Sequence, residues 1–353
     1  MKLAGYVLKV VGVRILGAGL ILLAVLQILD LLEVTPDIVE RGLGFAGVLH
    51  YAALRLPRLL DQAAPLAVLA GGIFAFMKLA GESEIVAMRA SGVSTYRLLA
   101  MALPAAIAVM AVDIAAVELV APRTDPALAT WWAATAPPAP SAEAKPKAFR
   151  VHGDVVVATR GDLSGRLLRD VKIYRRDDAG RLTERIEAAT AVYGSDGWRL
   201  NAPEFVRFGD GGARVGRAAQ MTWGSAFEPA DVQALFSSDQ EISAATANRA
   251  LAGGGAQRPK SYYATRVQRA LAAPIGDLVM LLLAVPIALA SFRSSQGAVF
   301  VTASLGSGLL FLVVDGLLAA LGESGAVAPL LAAWTAPLVF AALGATALLK
   351  LEG

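Results

Sequence analysis

Apolar residues gather into six long runs along this chain, at about 10–32, 62–80, 98–120, 268–290, 297–320 and 327–349. Crossing the hydrocarbon core of a bilayer takes a helix of roughly 20 apolar residues, and each run comes close to that length. Three runs precede and three follow a polar block, residues 121–267. The first run is too long for the apolar core of a signal peptide. It carries Asp30 near its end and is followed by no small-residue cleavage site, so it reads as a retained span.

Within the polar block the period changes. Residues 149–228 alternate polar and apolar positions between turn signals at Asp178-Ala179-Gly180, Ser195-Asp196-Gly197 and Gly209-Asp210-Gly211-Gly212. Short alternating runs between such signals predict a small antiparallel sandwich or jelly roll. "APPAPSAEAKPK" (136–147) reads as a linker into it, and "LAGGGAQRPK" (251–260) as a flexible connection back. The expected layout has three parts. Residues 1–120 hold spans one to three with a short helix at 81–92, residues 121–267 form the β-rich insert, and residues 268–353 hold spans four to six. "VLHYAALRLPRLLDQAAP" (48–65) predicts a helix lying in the interface and broken at Pro57 before span two rises.

Composition agrees with this layout. The chain is 56% hydrophobic and only 17% charged, against roughly 25% charged in soluble domains. It contains no cysteine, which excludes disulfides and thiolate metal sites. Lys2, Lys9, Arg14, Lys78, Arg89, Arg97, Arg293 and Lys350 fall on one side of the spans. The short loops of the other side hold Arg41, Arg55 and Arg58. The positive side faces the cytoplasm, so both termini are expected there and the β-rich block outside.

Few motifs carry chemistry. Gly42 to Gly47 match G-x-G-x-x-G but follow no strand, so they read as a turn. No phosphate-binding G-x-x-x-x-G-K-[ST] loop occurs, and His50 and His152 have no evident metal partners. Asp113, Glu118, Asp277 and Asp315 lie within spans, and Asp30 near the end of the first. A charge within a span costs roughly 3 kcal/mol on insertion scales, so such acids face protein or water. They are either solvated structural groups or a route for protons.

"GESEIVAMRASGVSTYR" (81–97) is the charged interruption between spans two and three. Early acids, a late arginine and Gly92 give a short helix a favourable dipole and a stop. About ten residues make only a marginal helix in water. It therefore leans on something, with Glu82, Glu84, Ile85, Met88 and Arg89 as the contact candidates.

The stretch "LRLPRLLDQAAPLAVLAGGIFAFMKLAGESEIVAMRASGVS" (54–94) closely resembles the LptF/LptG permease family of lipopolysaccharide export. "ELVAPRTD" (118–125), "GRLTERIEAATAVYGSDGWRLNAPEFVRF" (180–208) and "LAAPIGDLVMLLLAVPIALASFRSSQG" (271–297) resemble further segments of that family. "LQILDLLE" and "LPRLLDQAAPLAVL" look more like its LptG branch. The resemblance implies a six-span inner-membrane permease without catalytic or metal-binding residues, carrying a periplasmic jelly-roll-like domain. It implies a heterodimer with an LptF-like subunit, driven by an LptB-like ATPase dimer that uses ATP and Mg²⁺, while this chain binds no cofactor. It also implies an LptC-like single-span partner, an LptA-like bridge, lipopolysaccharide as cargo and no nucleic acid. Residues 81–92 would then be the coupling helix. Members of the family tend to hold lipid phosphates with basic residues near the outer end of span one. This chain has Asp30 and Glu33 there, which leaves Arg41, Arg55 and Arg58 as substitutes. Two other readings stay open: a proton-coupled transporter using Asp113, Asp277 and Asp315, or a membrane scaffold that transports nothing.

Overall fold

A computed structural model describes residues 2–135, 146–162, 164–177, 179–209, 212–224, 227–236, 242–291 and 297–352. Contacts divide the chain into two compact units, Met1–Thr124 with Val267–Gly353, and Asp125–Arg266.

The chain begins with two long helices, α1 (Lys2–Glu40) and α2 (Gly44–Gly81), joined by a turn at Gly42 and Gly44, both at positive φ. At 1.5 Å per residue each is nearly 60 Å long, about twice the thickness of a hydrocarbon core. The apolar run at 10–32 is the middle of α1, and that at 62–80 is the C-terminal half of α2. The break expected at Pro57 does not occur, because α2 passes through both Pro57 and Pro65. Pro57 is buried against neighbouring side chains. A helix packed among others in lipid keeps its hydrogen-bonded form, since no water is present to satisfy an opened backbone.

After a short α3 (Glu84–Ala90) comes α4 (Thr95–Ile114), then a π-helical turn (Ala115–Val120) and α5 (Ala121–Ala134). Span three therefore continues well past residue 120. Eight strands follow among the described residues: β1 (Lys147–Val151), β2 (Asp154–Arg160), β3 (Leu167–Arg176), β4 (Leu182–Gly194), β5 (Gly197–Asn201), β6 (Glu204–Gly209), β7 (Gly212–Arg217) and β8 (Gln220–Trp223). Two short helices, α6 (Pro229–Phe236) and α7 (Ala244–Leu251), precede α8 (Lys260–Ser291), α9 (Gly297–Ser324) and α10 (Pro329–Glu352). Six helices among the described residues are long and apolar enough to cross a membrane, three before and three after the strands. The six-span fold with an inserted antiparallel β domain thus holds.

In the helical unit α1, α2, α4, α8, α9 and α10 share one apolar core. Glycines allow its closest approach. A Cβ on Gly71 would lie 2.4 Å from Cα of Ile15, backbone against backbone. Gly71→Ala therefore forces α1 and α2 apart, at an expected cost of about 1–3 kcal/mol. Thermal unfolding of the solubilised chain measures this against Gly17→Ala, where nothing lies within 4 Å of the new methyl.

The strands form a single antiparallel sheet in which β4 forks. Glu184–Glu187 pair with β6, and Thr190–Gly194 pair with β5. Ser195-Asp196-Gly197 makes the β4–β5 turn as expected, with Gly197 at positive φ. Asp178, Asp210 and Gly211 of the other two turn signals lie outside the described residues. The core of the unit is aromatic: Trp198, Trp223, Phe149 and Phe227 pack together, and Trp198 Nε1 donates to the Phe227 carbonyl at 2.7 Å. Where β3, β4 and β6 adjoin, Glu184 accepts from Arg175 at 2.8 Å and Arg207 at 2.7 Å. The return connection is less loose than its glycines suggest. Ala256 exchanges backbone hydrogen bonds with Arg150 at 2.7 and 2.8 Å, and the Gly253 carbonyl accepts from the His152 amide. This strap covers the outer edge of β1, whereas among the described residues β7 and β8 are each paired on one side only.

Candidate functional site

The charged interruption folds into an elbow. Glu82 belongs to the end of α2, where its amide donates to the Lys78 carbonyl at 3.0 Å, so the short helix is shorter than residues 81–92. Ser83, at φ 58°, breaks the path of the chain, and seven residues of α3 follow. At the other end Gly92 takes φ 86°, its amide donates to the Arg89 carbonyl and that of Val93 to the Met88 carbonyl. This is a Schellman stop, with the Met88–Val93 apolar contact that accompanies it. Ser94 then caps α4 by accepting from the Arg97 amide. "SGVSTYR" is a stop followed at once by a start.

The face α3 turns outward is not the expected one. Ile85 and Met88, 5% and 7% exposed, pack into the core of this chain's own helical unit. Each apolar side chain withdrawn from water is worth about 1.5–3 kcal/mol, which a helix of seven residues needs. Glu84 is tied to α1, where the Tyr6 hydroxyl donates to it at 2.7 Å. What remains for a partner is Glu82, Val86 and Arg89, with Tyr96 and Arg97 beyond the turn.

Above the elbow, α1, α2 and α4 enclose a groove of about 560 Å³. It is lined by Gly12, Leu16 and Gly19 of α1, Ala63 and Ala67 of α2, and Ala105, Ala108 and Val109 of α4. Small residues line it on all three helices, so space remains between the backbones. Lys9 and Asp113 are its charged members. An aliphatic groove of this kind suits an acyl chain.

The intramembrane acids sort into two kinds. Asp30 on α1 is bound by Arg55 on α2, with Nη2 2.9 Å from Oδ1. Asp315 on α9 is bound by Arg269 on α8 at 2.9 Å. Asp113 on α4 and Asp277 on α8 are instead buried, and Oδ1 of the first and Oδ2 of the second have no hydrogen-bond partner among the described residues. Glu118 sits half-buried in the π turn. The three arginines considered for phosphate also part company. Arg55 is engaged with Asp30, Arg58 is buried, and Arg41 stands partly exposed at the α1–α2 turn, with a polar partner of its own. Burial in a helix-packed unit draws arginines onto carboxylates, and charge alone along the sequence does not show it.

Tyr6, Asp61 and Val86 were not singled out in the sequence. Asp61 lies one residue outside the apolar run at 62–80. Tyr6 has no signal of its own, since its partner is 78 residues away. Gly42 to Gly47 form the α1–α2 turn and the start of α2, with no strand before them. His50 and His152 lie in different units, and the described residues contain no group of three or more His, Cys, Asp or Glu able to hold a metal ion. Arg293 lies outside the described residues.

Comparison with curated proteins finds no match. The family model described as "Lipopolysaccharide export system permease LptF/LptG" matches residues 5–350, both helical triplets and the β insert together. With that match spanning nearly the whole chain, this protein belongs to the LptF/LptG family of lipopolysaccharide export permeases.

Proposed function

We propose that this chain is the membrane-spanning subunit through which an ATP-driven exporter draws lipopolysaccharide from the outer leaflet of the inner membrane. The observation that carries this reading is an aliphatic groove and a short, outward-facing elbow in one helical unit, joined through α1. The groove takes acyl chains. The elbow receives a push from a soluble partner. The excess of Lys and Arg on the side of the elbow supports cytoplasmic termini and a periplasmic β unit.

In this reading the partner is an LptB-like ATPase dimer that holds ATP and Mg²⁺, and this chain is a permease subunit without catalytic residues. α1 leaves Ile21, Val25, Ile28 and Leu32 exposed along one face outside the groove, a face suited to lipid or to an LptF-like second subunit. "LQILDLLE" and "LPRLLDQAAPLAVL" favour the LptG branch. The β unit hands the lipid to an LptC-like partner and an LptA-like bridge, and its free edges for strand addition are β7 and β8, since the strap covers β1.

A three-carboxylate proton relay is disfavoured, because Arg269 already neutralises Asp315. A scaffold without transport has no use for the groove. Arg89→Glu together with Val86→Asp reverses the character of the elbow's exposed face without touching its buried side. Pull-down of the ATPase should fall by about tenfold or more, the equivalent of 1.4 kcal/mol, while thermal stability stays within a few degrees of the parent. Undiminished ATPase binding by this double variant would remove the elbow from the coupling path.

A further inference from the structure

One row of side chains across the β unit is made entirely of charges. Arg175 on β3, Glu184 on β4, Arg207 on β6 and Arg214 on β7 stand opposite one another in register, on the face that also carries Ile186 and Phe205. Asp154 of β2 extends the row, with Oδ2 3.6 Å from Nε of Arg175. From Asp154 to Arg207 the signs alternate, and Glu184 is held by Arg175 at 2.8 Å and Arg207 at 2.7 Å. The alternation fails at the last step, where Arg207 faces Arg214. Arg214 is exposed and has no ion pair or hydrogen bond among the described residues.

Like charges directly opposite on antiparallel strands destabilise the pair, with Cβ atoms about 4.5–5.5 Å apart. The same hairpin matches its other charged pair: Glu204 faces Arg217, with 2.7 Å between them. Charge on an edge strand discourages pairing with a foreign chain. Arg217 supplies that charge without repulsion, so edge protection does not account for Arg214.

Arg207 is moreover fixed in place. Its Nε donates to Glu184, and its guanidinium lies 5.1 Å from the centre of the Phe205 ring. That ring lies against β7 at Gly216, where an added Cβ would come within 2.5 Å of it. The Nη groups of Arg207 make no hydrogen bond among the described residues, and the side chain is 65% exposed. A ligand joining the two guanidiniums must be an anion. A carboxylate is planar and satisfies the fork of one arginine. A phosphate monoester is tetrahedral, carries about −1.5 to −2 charges at neutral pH and has oxygens for both.

We propose that Arg207 and Arg214 form a binding site for a phosphate monoester on the β6–β7 hairpin. The site stands on the geometry of the hairpin. That its phosphate belongs to a lipid headgroup and not to free phosphate rests on the permease reading.

Hydrogen exchange of the full-length chain in phosphatidylcholine nanodiscs, followed in peptides from residues 204–217, reads the site directly. The probes are bisphosphorylated lipid A, its dephosphorylated form and inorganic phosphate, all at constant ionic strength. Phosphorylated lipid should slow exchange in the hairpin, and the dephosphorylated form should not. Arg214→Gln should weaken this response by about threefold or more, since one of two charge-assisted contacts is lost. Arg214→Lys should restore part of it. Exchange of Arg214→Gln without ligand shows that the hairpin is intact. Equal protection by the dephosphorylated lipid, or an undiminished response in Arg214→Gln, overturns the proposal. Protection by inorganic phosphate as strong as that by the lipid retains the site and assigns it to a free anion. If phosphorylated lipid protects the hairpin but reconstituted export is absent, the permease reading fails and the site stands. If export proceeds and no probe protects the hairpin, the site falls alone.

Discussion

Trp198→Ala should unfold the β unit while the helical unit survives. Trp198 is fully buried in β5 and holds three other rings: Phe227 stacked at 5.8 Å, Tyr193 edge-on at 5.4 Å and Trp223 at 6.5 Å. Truncating a buried tryptophan costs about 3–5 kcal/mol through lost burial and the cavity left behind. The Phe227 carbonyl loses its 2.7 Å donor as well, which adds about 1–3 kcal/mol. Together these approach the whole stability of an ordinary domain, about 5–15 kcal/mol. Limited proteolysis of the full-length chain is the measurement. Cleavage should appear within 147–223 and leave both helical triplets intact. Trp198→Phe keeps a ring but not the donor and should fall between the two. Parental protease resistance in Trp198→Ala would show that the aromatic cluster is not what holds the sheet together.

A bulky side chain in the groove should stop export without harming the fold. Ala108 lines the groove on α4 and is exposed, so Ala108→Trp extends into open space and not into the packed core. The indole occupies volume that an acyl chain would otherwise fill. Lipid capture should fall by about tenfold or more, corresponding to 1.4 kcal/mol, with the unfolding temperature near that of the parent. Photocrosslinking of lipid to the reconstituted protein measures capture. Leu338→Trp on α10, exposed and outside the groove, serves as the control and should leave capture unchanged. Equal loss in both variants would assign the effect to bilayer insertion; loss in neither would exclude this groove as the acyl path.

These two substitutions sit at different distances from what the sequence displays. The turn into β5 is legible, because Ser195-Asp196-Gly197 between alternating runs specifies a tight hairpin. The role of Trp198 at the centre of the core is not, since it depends on Phe227, 29 residues later. The groove is similarly hidden. Its glycines, Gly12 and Gly19, look along the sequence no different from Gly71, which lies outside it and serves close packing. Only the path of α1 across α2 and α4 separates the glycines that are filled from those that leave space. The elbow is visible as an element: i, i+3 spacing places Ile85 and Met88 on one side, but says nothing about which neighbour that side meets, here the helical unit's own core.

By itself the sequence determined the six spans, the β insert between the third and fourth, and the stop and restart at residues 81–97. Each of these depends on properties local to a segment: enough contiguous apolar residues to replace water with lipid, an alternation of period two, a glycine able to take positive φ. Tertiary structure alone decided which charges are neutralised. Arg55 reaches Asp30 across 25 residues, and Arg269 reaches Asp315 across 46. Asp113 and Asp277, on helices from opposite sides of the insert, are each buried with one carboxylate oxygen that has no hydrogen-bond partner among the described residues. The reason is that a buried charge is settled by whatever lies within a few ångströms in space, and the order of residues along the chain does not encode that distance.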